Sequence, residues 1–179
     1  VVRQDGARVA LLDDGAHVRT LKGHGSGVRS VCVSPDGKHV VTTDGVARVW
    51  RLDDGVHVRT LVGHSSLVLS VCVAPDGKHV VTTSADKTAR LWRLDDGAHV
   101  CTTNGHRDSV TSACVTPDGT RLVTVSADKT TRVWRLDDGA YVRTLEGDSH
   151  KVMSVCVTPD GKHVITGTWR ASARVQLLL

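Results

Sequence analysis

Histidine first invites a chemical reading, because the 179-residue chain carries ten. Three lie in Gly-His pairs, at His24, His64 and His106. Two of these are followed 22 residues later by an aspartate, Asp86 and Asp128, with threonines between. A carboxylate, an imidazole and a hydroxyl are the parts of a nucleophilic triad. Imidazoles with five cysteines would suit zinc, and the Asp-Asp-Gly and Pro-Asp-Gly runs would suit calcium. Spacing argues against both metals. Nine of the ten histidines fall into three recurring series, His17/57/99, His24/64/106 and His39/79/163, so duplication accounts for their number. Cys32, Cys72, Cys114 and Cys156 recur 40 or 42 residues apart, Cys101 stands outside the series, and no Cys-x-x-Cys occurs. The paired aspartates are accounted for by turn chemistry. Neither a metal nor a cofactor is expected.

These series belong to a repeat of the whole chain. Leu-Asp-Asp-Gly begins at Leu12, Leu52, Leu94 and Leu136, and Pro-Asp-Gly at Pro35, Pro75, Pro117 and Pro159. Trp50, Trp92 and Trp134 close successive units, each followed by Arg. Residues 56–97 and 98–139 share 26 of 42 positions. Copies this similar adopt one structure, so the fold is an array of a single unit. Within a unit, runs such as Val68–Val73, His79–Ser84, Thr88–Leu94 and His99–Thr102 are rich in β-branched residues and bounded by turn residues, which predicts strands. Pro-Asp-Gly and Asp-Asp-Gly suit tight turns, and Ala85-Asp86-Lys87 makes a third. Each unit is therefore four antiparallel strands, a to d. No helical period appears, so the chain is all-β.

A four-stranded unit of this length with Gly-His and a terminal Trp resembles the WD40 repeat, a β-propeller blade. In the second repeat the matching residues are Gly63-His64, Pro75-Asp76-Gly77, Ser84 to Thr88 and Arg90-Leu91-Trp92. Two departures recur. Arg51, Arg93 and Arg135 stand where the family has Asp after Trp, and Cys-Val precedes the a–b turn where the family often has Ala-Phe. The resemblance implies an all-β fold of four four-stranded antiparallel blades, either the open arc of a larger propeller or a small closed ring. The units run 1–22 (a partial blade), 23–62, 63–104, 105–146 and 147–179 (a degenerate fourth blade). It also gives the Gly-His imidazoles a structural role, in a buried tetrad with a strand-b hydroxyl, the b–c Asp and the strand-c Trp. The second blade then uses His64, Thr82 (or Ser84), Asp86 and Trp92. The third uses His106, Thr124 (or Ser126), Asp128 and Trp134, and the first contains His24 and Trp50. A constellation copied beside a buried Trp in each blade reads as scaffold rather than as a catalytic site, and the chain is not expected to be an enzyme.

Repeated cysteines at one height on neighbouring blades are too far apart for disulfides. They read as small buried hydrophobes in a reducing compartment, the cytoplasm or the nucleus. Twelve of the 19 acidic residues lie in the a–b and c–d turns, predicting an acidic-leaning face there, partly offset by Lys38, Lys78, Lys162, Arg51, Arg93 and Arg135. On the opposite face, of d–a and b–c turns, the copies differ most. The strand-a position reads Arg29, Leu69, Thr111 and Met153, and the d–a loops carry Leu67, Arg107 with Asp108, and Ser149-His150-Lys151. Of these, Arg29, Leu67, Leu69, Arg107, Asp108, His150, Lys151 and Met153, with Lys87 and Lys129, are the candidate partner-binding residues, because varied positions on a repeated frame are where copies acquire separate contacts. The resemblance implies a non-catalytic scaffold that binds a protein or peptide through this face. The alternatives are a reader of phosphorylated or acidic ligands or of nucleic acid through the basic turns, and a propeller enzyme. A formal charge of +4 does not make a nucleic-acid tail, and no apolar run of bilayer length occurs, so neither nucleic acid nor membrane is an expected partner.

The repeats fail at both ends. The first blade's b–c turn, Thr42 to Val46, is two residues short, so Asp44 is not expected to reach His24. In the fourth, Asp148 replaces His, Arg170 replaces Asp and Gln176 replaces Trp, leaving Thr166 and Thr168. That blade is expected to be the least stable. With Ala10 at the Trp position of a leading half-blade, the strands number 17. A seven-bladed ring needs about 290 residues at this period. The absent initiator Met and the surplus strand point to a fragment of a larger propeller, completed by further blades or by another chain.

Overall fold

The structure, a computed structural model, describes residues 6–10, 17–145, 147, 149–170 and 173–178. The first Leu-Asp-Asp-Gly, Asp148 and Leu179 lie outside the described residues. Among the described residues seventeen strands form five antiparallel sheets and no helix occurs, so none is long and apolar enough to cross a membrane. A two-stranded sheet of β1 (Ala7–Ala10) and β2 (His17–Leu21) leads. The first blade follows, in the order β3 (Ser30–Val33), β4 (His39–Thr43), β5 (Ala47–Arg51) and β6 (His57–Leu61). The second blade is β7 (Val68–Val73), β8 (His79–Ser84), β9 (Ala89–Arg93) and β10 (His99–Thr103). The third is β11 (Val110–Val115), β12 (Arg121–Ser126), β13 (Thr131–Arg135) and β14 (Tyr141–Leu145). The fourth repeat departs from the four-stranded expectation. Among the described residues it forms three strands, β15 (Val152–Val157), β16 (His163–Thr168) and β17 (Ala173–Leu177). The sheets do not close into a ring.

The turns explain the pairing. In the a–b turn of the second blade, Gly77 takes φ +66° and the Asp76 carboxylate accepts the backbone N–H of Lys78 at 2.8 Å. In the c–d turn Gly97 takes φ +74°, and its N–H donates to the Arg93 carbonyl at 3.0 Å. Lys87 and Lys129 occupy the left-handed region in their b–c turns, at φ 72° and 71°, where a side chain is strained.

Strand alternation then sorts residues to two faces of each sheet. Val41, Val49 and Leu61 of the first blade pack on Val71, Val80 and Trp92 of the second, with Cys32 and Val73 at the edge of the cluster. Val81 and Leu91 meet Ala113, Leu122 and Trp134 in the same way, and Val123 and Val133 meet Val164. On the leading side Leu21 of β2 packs with Val40 and Trp50. Each Trp thus covers the preceding sheet, and the core is a row of junctions rather than one centre. All five cysteines are free thiols. Burial pushes the Cys72 thiol above its usual range and that of Cys114 up to about 12. Cys156 departs from the buried expectation. It is exposed because, among the described residues, no sheet lies against the far side of β15.

Candidate functional site

The tetrad is a directed chain of hydrogen bonds. In the second blade the Trp92 indole N–H donates to Thr82 Oγ1 at 2.8 Å, and the Thr82 hydroxyl donates to His64 Nε2 at 2.8 Å. His64 Nδ1 donates to Asp86 Oδ2 at 2.7 Å. The third blade repeats this with Trp134, Thr124, His106 and Asp128 at 2.7, 2.8 and 2.9 Å. Ser84 and Ser126 take no part in it. Their hydroxyls donate to the carbonyls of Ser66 and Asp108 and accept the N–H of Asp86 and Asp128. A residue that spacing does not single out completes each site. Thr88 and Thr130 donate to Asp86 and Asp128, both at 2.6 Å, from the repeated Asp-Lys-Thr triplet. In the first blade Trp50 and His24 meet on Thr42, but His24 Nδ1 donates to the Leu21 carbonyl at 3.0 Å. Asp44 turns instead to the Gly25 N–H, at 2.5 Å, and to Arg48, the shortened turn having withdrawn it from the imidazole.

A carbonyl oxygen can only accept, so Nδ1 of His24 carries the proton and Nε2 is the acceptor. Burial holds the imidazoles of His64 and His106 below their ordinary pKa, against the opposing pull of their carboxylates, and they stay neutral. Burial works to raise the pKa of Asp86 and Asp128, but hydrogen bonds from Thr88 or Thr130, the imidazole and the backbone outweigh it. Thr, His and Asp therefore stand in the order of a catalytic triad. Thr82 is nevertheless fully buried, and its oxygen already accepts the indole N–H.

The fourth blade has lost this arrangement. Thr166, at the place of Thr82 and Thr124, is fully buried, and among the described residues its hydroxyl has no hydrogen-bond partner. In the c–d turns Arg51, Arg93 and Arg135 pair with Asp54, Asp96 and Asp138. Those guanidiniums hold the carboxyls well below the usual range, so much of the acidic charge on that face is neutralised within each turn. Among the described residues no three His, Cys, Asp or Glu side chains come together to hold a metal.

Of the ten candidate partner-binding residues, four converge. Lys129, His150, Lys151 and Met153 line a cleft of about 440 Å³ between the third and fourth blades, together with Thr111, Ala127, Ser149 and Trp169. Trp169, which the sequence marks only as a break in the repeat, is 71% exposed at its mouth and is tied by its backbone N–H to the Lys151 carbonyl at 2.9 Å. Thr111 reaches across the junction to the Val152 carbonyl at 2.6 Å. Arg29, Leu67, Lys87, Arg107 and Asp108 are exposed on other turns, and Leu69 is half-buried; none of them lines the cleft. Leu67 instead packs toward Gly45 of the first blade's b–c turn.

No curated protein matches the chain in sequence. The family profile described as WD domain, G-beta repeat matches it four times, over residues 15–51, 55–93, 97–135 and 139–175. Each match ends on or beside a c strand, so the profile's unit straddles two sheets, taking the d strand of one blade with the a, b and c strands of the next. The chain belongs to the WD40 repeat family, whose general role is that of a protein-interaction scaffold.

Proposed function

We propose that the chain is a non-catalytic scaffold whose cleft between the third and fourth blades holds a peptide segment of a partner protein. The cleft itself carries this reading. Its apolar surface comes from Met153, Ala127 and Trp169, and its charged surface from Lys129 and Lys151. An apolar side chain of the peptide would lie on Met153 and Trp169, as exposed aromatics commonly anchor interfaces. Acidic or phosphorylated residues beside it would meet the two lysines. Lys129 is held at a strained backbone angle, at a place where glycine would be easier. The tetrads offer no competing site, being buried and internally satisfied. The same reading places the protein in a reducing compartment, the cytoplasm or the nucleus, with its cysteines as thiols.

The test is selection from a peptide library in which one apolar residue is flanked by Asp, Glu or phosphoserine. Selected peptides are expected to bind Trp169→Ala and Lys129→Gly at least tenfold more weakly than the parent. The glycine variant also relaxes the turn, so its fold stays intact and its loss of binding reports the missing charge. Peptides that bind both variants as well as the parent would show that the site lies elsewhere on the face.

A further inference from the structure

The cleft between the third and fourth blades joins two chemistries in one volume. Ala127, Met153 and Trp169 give it apolar surface, with Met153 40% exposed and Trp169 71% exposed. Lys129 and Lys151 give it charge, and both are exposed. Among the described residues neither lysine is in an ion pair, and no Asp or Glu lines the cleft. Two unpaired ammonium groups facing one cleft are best met by a dianion.

Ser149 and His150 add a further donor. Ser149 Oγ and His150 Nδ1 share a hydrogen bond of 2.8 Å, and either direction leaves one proton over. When the hydroxyl donates, the neutral ring carries its proton on Nε2; when Nδ1 donates, the hydroxyl proton is free. The frame is fixed from both blades. The Thr111 hydroxyl donates to the Val152 carbonyl at 2.6 Å, and the Trp169 N–H donates to the Lys151 carbonyl at 2.9 Å. The exposed indole and one of the lysines are thus neighbours through a backbone bond.

What a peptide can place in such a cleft is limited by its own geometry. In an extended segment successive side chains point to opposite sides, and residues that share a side stand about 6.6 Å apart. An apolar residue and the acidic residue next to it turn opposite ways. One side chain that carries both groups serves a cleft of about 440 Å³ better. Phosphoserine holds its phosphate on a single methylene and brings nothing apolar to Met153 and Trp169. Tyrosine brings a ring and no charge. Phosphotyrosine brings both, a flat ring with a phosphate at its far end, of charge about −1.5 to −2 at neutral pH. Its ring suits an indole and a thioether, and its oxygens suit two ammonium groups.

We infer that the cleft reads phosphotyrosine in its partner, the ring lying on Met153 and Trp169 and the phosphate between Lys129 and Lys151. This rests on the peptide reading of the cleft and narrows it to one modified residue. The partner then binds after a tyrosine kinase has acted on it and is released by a phosphatase.

The test uses four degenerate peptide libraries with a fixed centre: phosphotyrosine, tyrosine, phosphoserine, or Phe followed by phosphoserine. Each is applied to the full chain, to Trp169→Ala and to Lys151→Gln, whose altered side chains are exposed and leave the fold intact. The phosphotyrosine library is expected to be retained at least about tenfold better than the other three, and to lose that advantage on both variants. Equal retention of the Phe-phosphoserine library, lost on both variants, overturns phosphotyrosine and leaves the cleft as a peptide site. A phosphotyrosine preference that both variants keep lies elsewhere on the chain and overturns the inference. Retention of no library overturns it together with the peptide reading. Competition identifies the source of the phosphate-bearing ring. Phenyl phosphate is expected to displace the retained phosphotyrosine peptides at lower concentration than AMP. The reverse order marks the cleft as a nucleotide site and overturns the inference.

Discussion

Trp92 and His64 are joined through a single oxygen, the Thr82 hydroxyl, which lies 2.8 Å from the indole nitrogen and 2.8 Å from the imidazole. One group thus serves as acceptor for one ring and donor for the other. Replacing Thr82 by the similarly shaped Val strands a buried indole N–H and a buried imidazole nitrogen together. The cost is expected to be about 3 kcal/mol, read from the denaturant midpoint at unchanged slope. Thr166→Val, at the same place in the fourth blade, removes a hydroxyl that satisfies nothing. It is expected to be neutral or to stabilise by up to about 1 kcal/mol. Equal losses at the two sites would show that packing, not hydrogen bonding, sets the value of the position.

Acid acts on the same chain of bonds. His24, His64 and His106 are depressed below their ordinary pKa in the fold. Below about pH 6.5 the unfolded chain therefore binds protons that the folded chain refuses. Stability is full above that pH and falls as pH drops through it, by at most about 1.4 kcal/mol per histidine per pH unit. The carboxyls of Asp86 and Asp128, also depressed, add a second loss below about pH 4. Denaturant midpoints from pH 8 to pH 4 measure both. A flat profile between pH 7 and pH 5 would contradict the neutral tautomer.

The fourth sheet has three strands among the described residues and leaves Thr166 unsatisfied, so its local opening is expected to be the easiest. Native-state hydrogen exchange should show the amides of β16 and β17 exchanging at least tenfold faster than those of β8 and β9.

Lys87 holds a left-handed backbone angle, φ 72°, that glycine adopts without a side-chain penalty. Lys87→Gly is expected to raise stability by about 0.5–1 kcal/mol. A melting measurement on the two turns separately, Lys87→Gly against Lys129→Gly, should give the same gain in both, because the angles agree to within a degree.

The sequence makes the strands legible because the repeat prints them four times. Turn residues bound each run, and the β-branched runs lie within a residue or two of β7, β8 and β10. Which hydroxyl joins the tetrad is not legible, because Thr82 and Ser84 lie two apart on one strand and share a face. Position along the strand decides between them: Ser84 sits at the strand end, where the turn uses it. The exposure of Cys156 is equally hidden, since a residue in repeat register reads as buried until the neighbouring sheet proves to be missing. The cleft is hardest of all to read. Trp169 follows no period, and only the d–a loop ahead of β15 brings it beside Lys151.

The tetrad bonds of the second and third blades join residues 10 to 22 positions apart, and bonds that cross from one blade to the next, such as Thr43 with Val68, Thr111 with Val152 and Arg121 with Leu178, span 25, 41 and 57. Nothing in the interior of the array waits for its far end. As the chain leaves the ribosome, each blade finds its own partners within one repeat and docks onto the blade made just before it. Folding can then keep pace with synthesis, one unit at a time.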